Sequence, residues 1–524
     1  MTRRWIALLV GGLLAGSTAL VPGGAAHADV LRPAALPDGE RAAGQWYMSK
    51  WMNYDRLAER GATGEGVKIA VIDAALNPDV PELAGAKIKV MGSTCMDPGT
   101  GEPWEAVNAD PAVSAHGTNV VAMLVGNGVA GDGGAGARGI APKAEIMFYG
   151  TAPIEPATED GRKSHWGSCV LNDPTVETGQ TSLTDKSELE GLFGPSEVLD
   201  NSDGQLEAYA RTTIQIGDST AIAARAAIRD GADIISMSVD SGNTIAWDGV
   251  LIEAQRAGVP VFVGTRNPSD QILEGGLTKI YQVNGTVPVN AVEQDGRPLQ
   301  AGARFAAPGS RKLAVAAPGR DLLGVGVAEG WGPELIHGTS YATPLVAGTV
   351  ALGMQTYPEA TAFQVLQTLI RTTGDGELRE PVWGGDATGY GFASAGGMLR
   401  VDPTQFADEN PMYVTSLDDP RCFDPDSPDR ELAYRGNNYW NCYWASGPTP
   451  RMEAEYWAAR EGVTPASPDG VKEPAPGGNE TVPVWMVVAG GVGLLVVVAA
   501  AVMVPVLVTR SRKRAAAQQH PGSF

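Results

Sequence analysis

Three short segments, far apart in the chain, constrain its fold more than any other feature. They are Val71-Ile72-Asp73, His116-Gly117-Thr118 and the run from His337 to Pro344, which reads His-Gly-Thr-Ser-Tyr-Ala-Thr-Pro. An acid, an imidazole and a hydroxyl therefore follow one another in the order Asp, His, Ser, each in a different local setting. A serine hydroxyl is a weak nucleophile near neutral pH, so Ser340 needs a base to take its proton. That base in turn needs an acid to fix its tautomer and to stabilise its cation. His116 suits the role of base better than its competitors. His165 sits in a polar stretch, His520 lies near the C-terminus, and His337 is only three residues before the serine. Any fold that uses this set must bring Asp73, His116 and Ser340 to one place across long loops.

The pattern between the segments says what kind of fold does this. Val67 to Ile72 is an apolar run that reads as a buried strand ending at Asp73, and Gly117 to Gly126 reads as a helix after His116. Asp218 to Asp230 has helical spacing of Ile222, Ala226 and Ile228, is stopped by Gly231, and returns as the strand Ile234 to Ser238. A helix around Trp247 to Ala257 precedes the strand Val261 to Val263. Strands alternating with helices imply an α/β domain, with a central parallel sheet covered by helices on both faces. Residues 150–217 interrupt this rhythm and read as an inserted surface loop. The Gly-rich run from Gly126 to Gly139 lacks Gly-Lys-Ser/Thr and reads as a flexible connection rather than a phosphate loop.

The order Asp, His, Ser, together with Gly-Thr-Ser-x-Ala-Thr-Pro around Ser340, resembles the subtilisin-like serine proteases over roughly residues 45–400. The resemblance implies a subtilisin-like fold and a serine endopeptidase acting on polypeptides through an acyl-enzyme. It makes Asp73, His116 and Ser340 the catalytic residues and places Ser340 at the start of a buried helix, where its N–H is one oxyanion donor. Asn267, after Val261 to Arg266, falls where the family carries the second donor. Two departures stand out. Ala74-Ala75 follow Asp73 where relatives usually have Thr or Ser and then Gly, and Arg266 replaces a glycine. The substrate pocket implied by the resemblance is walled by Ser238, Val239 and Asp240 on one side and Gly264, Thr265 and Arg266 on the other. Asp240 and Arg266 are expected to pair across it and to narrow it in favour of small side chains. The alternative is a catalytically weak or inactive protease-fold scaffold that stabilises a secretion complex. Ala74-Ala75 and Arg266 favour that reading, and retention of both serine and histidine speaks against it.

The two ends predict where the protein works. Arg3 and Arg4 precede an apolar run from Trp5 to about Leu20, and Ala26-His27-Ala28 has the small residues of a signal-peptide cleavage site. Val484 to Val508 is 25 residues without a charge. As a helix it would reach about 37 Å at ~1.5 Å per residue, enough to cross a ~30 Å hydrocarbon core. Arg510, Arg512, Lys513 and Arg514 follow at once and predict a cytoplasmic C-terminus. The expectation is a single-pass cell-membrane protein with its catalytic domain outside. All 60 acidic residues lie between these terminal segments, which take 6 of the 39 basic ones, leaving an exported portion of formal charge about −27. Such a surface repels phosphate backbones and argues against nucleic acid as a partner.

Four cysteines remain after export, and an even count in an oxidising compartment suggests two disulfides with three possible connectivities. Cys422 and Cys442 close a short loop and are paired here, leaving Cys95 with Cys169. No C-x-x-C spacing points to zinc, no contiguous oxygen-ligand loop points to calcium, and the mechanism requires no metal or other cofactor.

The expected organisation is a signal peptide (1–28), an N-terminal extension (29–66) and a protease domain (67–400). An aromatic-rich, disulfide-closed appendage (401–445), a Pro/Gly-rich stalk (446–483), the transmembrane helix (484–508) and a basic tail (509–524) follow. The extension is too short for the independently folding pro-domain of many secreted subtilisins. Gln45-Trp46-Tyr47 and Trp51, followed by Thr63 to Val67, resemble the N-terminal segment of mycosins, the membrane-anchored proteases of actinobacterial type VII secretion systems. That resemblance implies substrates among secreted proteins and association with the type VII secretion membrane complex.

Overall fold

The computed structural model describes residues 36–49, 53–97, 100–151, 154–155, 165–166, 170–171, 219–239, 245–268, 280–301, 304–305, 313–385, 387–414, 453–454 and 456–458. The chain divides into two units, Met1–Pro465 and Ala466–Phe524, and every described residue belongs to the first. The apolar run 484–508 lies outside the described residues, among which no helix is long and apolar enough to cross a membrane.

Seven strands form the central sheet: β1 Lys68–Asp73, β2 Lys87–Ser93, β3 Glu145–Gly150, β4 Ile234–Met237, β5 Val261–Gly264, β6 Thr286–Val292 and β7 Val315–Pro318. Their order is β7-β6-β5-β4-β1-β3-β2, and every neighbouring pair is parallel. In the middle, Ile69 of β1 lies opposite Ile234 of β4 and Ile146 of β3. Alternation along β1 feeds two cores. Ile69 and Val71 join one apolar cluster, while Ala70 and Ile72 join the other. A strand buried on both faces has no room for polar alternation, which is why its sequence is a continuous apolar run.

Helices cover both faces. α1 (Pro111–Val125), α4 (Thr339–Thr356) and α5 (Ala362–Arg371) supply Val120, Leu124, Leu345, Val350 and Leu366 to the first cluster. α2 (Ser219–Arg229) and α3 (Ile245–Ala257) supply Ala223, Ala227, Trp247 and Leu251 to the second. α1 begins earlier than the sequence reading placed it, so His116 lies inside the helix and not before it. The cause is local: the Asp110 side chain accepts from Ala112 N–H at 2.9 Å, and Pro111 occupies the first turn, where its missing N–H costs nothing.

Two other segments are more ordered than their composition suggests. The Gly-rich run after α1 is an antiparallel hairpin, Asn127–Val129 against Ala135–Arg138, and not a flexible connection. It is held from outside, because Arg41 donates to Asp132 and Gln45 Nε2 to the Gly136 carbonyl at 2.7 Å. The described part of the N-terminal extension also packs into the first cluster through Trp46, Tyr47, Met48, Tyr54 and Leu57. At the other end, Asn284 and Val414 exchange hydrogen bonds, and the Arg256 guanidinium of α3 lies 4.1 Å from the centre of the Trp457 ring.

Where α1 crosses the end of β1 the approach is close enough to require glycine. A Cβ on Gly117 would lie 2.4 Å from the Ala75 carbonyl oxygen and 3.2 Å from Asp73 Oδ1. Gly117→Ala is expected to lift α1 and to destabilise the fold by about 1–3 kcal/mol, the usual cost of overpacking. Equilibrium urea unfolding measures this, and an unchanged midpoint with an unchanged slope would show that α1 is not seated as described.

Candidate active site

Asp73 is the last residue of β1, opposite Gly150 of β3, and its side chain is 0% exposed. Burying a carboxylate is costly unless its oxygens find donors. Here Oδ1 accepts from Ala74 N–H at 2.8 Å, and both oxygens face His116 Nδ1, at 2.9 and 3.0 Å. The Asp73 carbonyl is held separately by Thr151, through its N–H at 2.8 Å and its hydroxyl at 3.1 Å. Ala74 and Ala75 are both buried, so two methyl groups fill the turn after Asp73. The acid still meets its histidine.

A carboxylate accepts and never donates, so the proton on His116 sits on Nδ1 and Nε2 is the basic atom. The imidazole side chain is 24% exposed, open enough on one side for a reactant to reach. Burial disfavours its cation, but the Asp73 charge and hydrogen bond outweigh burial, and the pKa rises above its ordinary 6.5. The ring lies 5.9 Å from that of Tyr341, tilted by 43°. Burial, and after it the Asp73 charge, raises the Tyr341 phenol above its usual range, so it stays neutral at working pH.

Ser340 is the second residue of α4, where the helix dipole favours negative charge. The preceding Gly338 has φ 150°, a conformation that favours glycine, and a Cβ there would come within 3.3 Å of Asn267 Oδ1. Asn267 follows β5 and is tied to the same turn, its Oδ1 accepting from Thr339 N–H at 2.9 Å and from the Thr339 hydroxyl at 3.3 Å. Because Thr339 N–H can only donate, it turns the amide oxygen toward itself and the amide nitrogen away. Ser340 and Ser238 exchange hydrogen bonds. The Ser340 hydroxyl donates to the Ser238 carbonyl at 3.2 Å, and the Ser238 hydroxyl donates to the Ser340 carbonyl at 2.7 Å. No hydrogen bond joins the Ser340 hydroxyl to His116.

The structure therefore couples Asp73 with His116 directly, and Asn267 and Ser238 with the first turn of α4. It gives Gly264 and Thr265 as the end of β5 and the residue after it, with Val239 and Thr265 buried and Arg266 half-buried. Asp240 lies outside the described residues, and so does the expected Asp240–Arg266 pair. Cys95 is disulfide-bonded, while Cys169, Cys422 and Cys442 lie outside the described residues. Among the described residues no group of three His, Cys, Asp or Glu could hold a metal ion. Sequence reasoning missed Thr151, Thr339 and Tyr341. A clue existed for the last two, since they flank Ser340 directly.

Comparison with known proteins agrees with this layout. The subtilase family (Peptidase_S8) model matches residues 64–392, more than half of the chain. An extracellular serine proteinase of Thermus sp. (strain Rt41A) is 33% identical over 138 residues, covering 26% of this chain and 32% of that protein. The alignment thus spans about a third of that relative's length. Among solved structures, MycP1 from Mycobacterium smegmatis is 18% identical with a TM-score of 0.47, over 73% of this chain and 90% of that chain. The periplasmic assembly of the ESX-5 inner membrane complex matches with 21% identity and a TM-score of 0.45, over 71% of this chain and 87% of that chain. Fervidolysin from Fervidobacterium pennivorans, a keratinolytic enzyme related to subtilisin, matches with 21% identity and a TM-score of 0.40, over 66% and 44%. The family match encloses all three motif segments, and the chain belongs to the subtilase family of serine endopeptidases.

Proposed function

We propose that this subtilase cuts polypeptides with Asp73, His116 and Ser340 as its catalytic triad. The observation that carries the reading is the buried Asp73 carboxylate bonded to His116 Nδ1 at the end of β1. With Nδ1 bonded to the carboxylate, Nε2 is left as the atom that can act as base. A turn about the Ser340 Cα–Cβ bond takes the hydroxyl from the Ser238 carbonyl toward His116. Nε2 removes its proton as Oγ bonds to the scissile carbonyl carbon. The resulting oxyanion faces Ser340 N–H and the Asn267 amide, and the C–N bond breaks as His116 returns the proton to the leaving amine. Water then repeats the sequence in reverse and frees the acid product.

The location and partners proposed for this activity rest on the sequence layout. An exported chain, held by residues 484–508 with its basic tail in the cytoplasm, places the protease on the external face of the membrane, beside a secretion route. Proteins passing through a type VII secretion complex are its proposed substrates. In intact cells, an active-site serine probe should label a membrane-bound protein, and the chain ending at Pro483 should be released in labelled form. Ser340→Ala should abolish labelling, and Asn267→Ala should slow turnover roughly 10²–10³-fold, a magnitude taken from subtilisin itself. Equal labelling of wild type and Ser340→Ala would sink the triad assignment.

The state of His116 gives the pH dependence. Its pKa is raised, and only the neutral ring can accept the serine proton, so activity is present above that pKa and is lost as pH falls through it. The kcat/KM profile is expected to show an acid limb with an apparent pKa above 6.5. A midpoint below 6.5 would mean that Asp73 does not stabilise the imidazolium.

We further propose the disulfides Cys95–Cys169 and Cys422–Cys442. Cys95 and Met96 pair with Leu171 and Val170, which brings the chain just beyond residue 169 beside Cys95. In the chain-entropy picture each bridge contributes about 3–4 kcal/mol. Non-reducing peptide mapping should recover these two linked pairs, and a Cys95–Cys422 peptide would overturn them.

A further inference from the structure

Pro344 lies inside α4, four residues after Ser340. A prolyl nitrogen carries no hydrogen, so the helical bond that would end on the Ser340 carbonyl has no donor. The oxygen is bonded nonetheless. The Ser238 hydroxyl, one residue beyond β4, donates to it at 2.7 Å. Ser238 also receives the Ser340 hydroxyl on its own carbonyl at 3.2 Å. The first turn of α4 is thus fastened to the ends of two neighbouring strands. From β5 come the Thr265 carbonyl, which accepts the Thr339 hydroxyl at 2.5 Å, and Asn267 Oδ1, which accepts Thr339 N–H at 2.9 Å. From β4 comes Ser238.

We infer that Ser238 is a positioning residue for the nucleophile: its hydroxyl replaces the N–H that Pro344 lacks, and fixes Ser340 against the end of β4. The inference rests on the reading of Ser340 as the nucleophile. A helix with an ordinary residue at 344 would bond the Ser340 carbonyl within itself. Proline leaves that carbonyl for the sheet, so the serine is aligned with the strand ends and not only with its own helix. The hydroxyl parked on the Ser238 carbonyl is the resting position from which it turns to His116. The Ser238 hydroxyl is hydrogen-bonded to neither the imidazole nor the acid, and it acts on the nucleophile through the Ser340 carbonyl.

The test is a rescue. The second-order rate of labelling by a fluorophosphonate serine probe is measured for the full-length wild type, Ser238→Ala, Ser238→Thr, Pro344→Ala and the double variant Ser238→Ala, Pro344→Ala. Ser238→Ala is expected to label about 10–100-fold more slowly, roughly the loss of a hydrogen bond next to the reacting group. Its effect on peptide hydrolysis should fall on kcat and leave KM little changed, and Ser238→Thr should keep most of the rate. In the double variant the alanine that replaces Pro344 supplies the missing N–H, and labelling should recover at least several-fold over Ser238→Ala alone. The inference is overturned if Ser238→Ala labels at the wild-type rate, or if the double variant is no faster than Ser238→Ala. Should Ser238→Ala fail to fold, Ser238→Cys, of similar shape and with a weak donor, replaces it in the same cycle with the same two outcomes. Failure of the wild type itself to label would count against Ser340 as nucleophile, and so separates that reading from this one.

Discussion

Burial of the Asp73 carboxylate at the carboxyl end of β1 is the constraint on which the rest of the site depends. Removed from water, the group must be satisfied locally or be neutral, and its donors come from two directions. Ala74 N–H belongs to its own turn, and His116 belongs to a helix lying across the sheet. The second bond can form only if α1 sits low over the strand end. Gly117 permits this, and Asp110 with Pro111 starts the helix early enough for His116 to fall in its second turn. The hydrogen bond between Asp73 and His116 therefore ties a helix to the strand end.

The strand order explains why the site forms at this edge. The chain leaves β1 for β2 on one side of the sheet and leaves the adjacent β4 for β5 on the other, so the connections diverge between the carboxyl ends of β1 and β4. In open parallel sheets that divergence leaves a crevice, and ligands gather there. α4 lies over the same region and packs on β4, β5, β6 and β7. Its first turn is tied to residues following β4 and β5, while α1, which packs on α4, carries the histidine. Asp73, His116 and Ser340 are thus each held by a regular element of the fold.

Much of this was legible in the sequence because it follows from short-range rules. Continuous apolar runs ending at Asp73 and Val263 were readable as buried parallel strands, and Gly231 as a helix stop. That Asp73 and His116 come together was readable from residue type and spacing. What the sequence hid depends on contacts between distant segments. The hairpin 127–138 looked like a flexible linker, since nothing local shows that Arg41 and Gln45 hold it. The start of α1 was missed for a different reason. Asp110-Pro111 is a local capping signal, and the weight given to His116-Gly117 obscured it. Ala74-Ala75 looked like a weakness of the site, yet both are buried and Asp73 keeps its bonds to Ala74 N–H and His116.

The N-terminal segment bears on how the domain holds its shape. Trp46 Nε1 donates to the Arg320 carbonyl at 2.9 Å and Tyr47 Oη to the Arg138 carbonyl at 2.6 Å. Tyr54 Oη meets Thr349 Oγ1 of α4 at 2.5 Å and the Leu345 carbonyl at 3.3 Å. Those acceptors lie in the hairpin, in the turn after β7 and on the helix that bears Ser340. Buried aromatic residues dominate the energetics of a core, and the polar tips of these three are all hydrogen-bonded. A segment joined in this way cannot be withdrawn without opening the first cluster and freeing one side of α4. It is therefore a structural part of the folded domain, and its contact with α4 links it to the helix that carries Ser340.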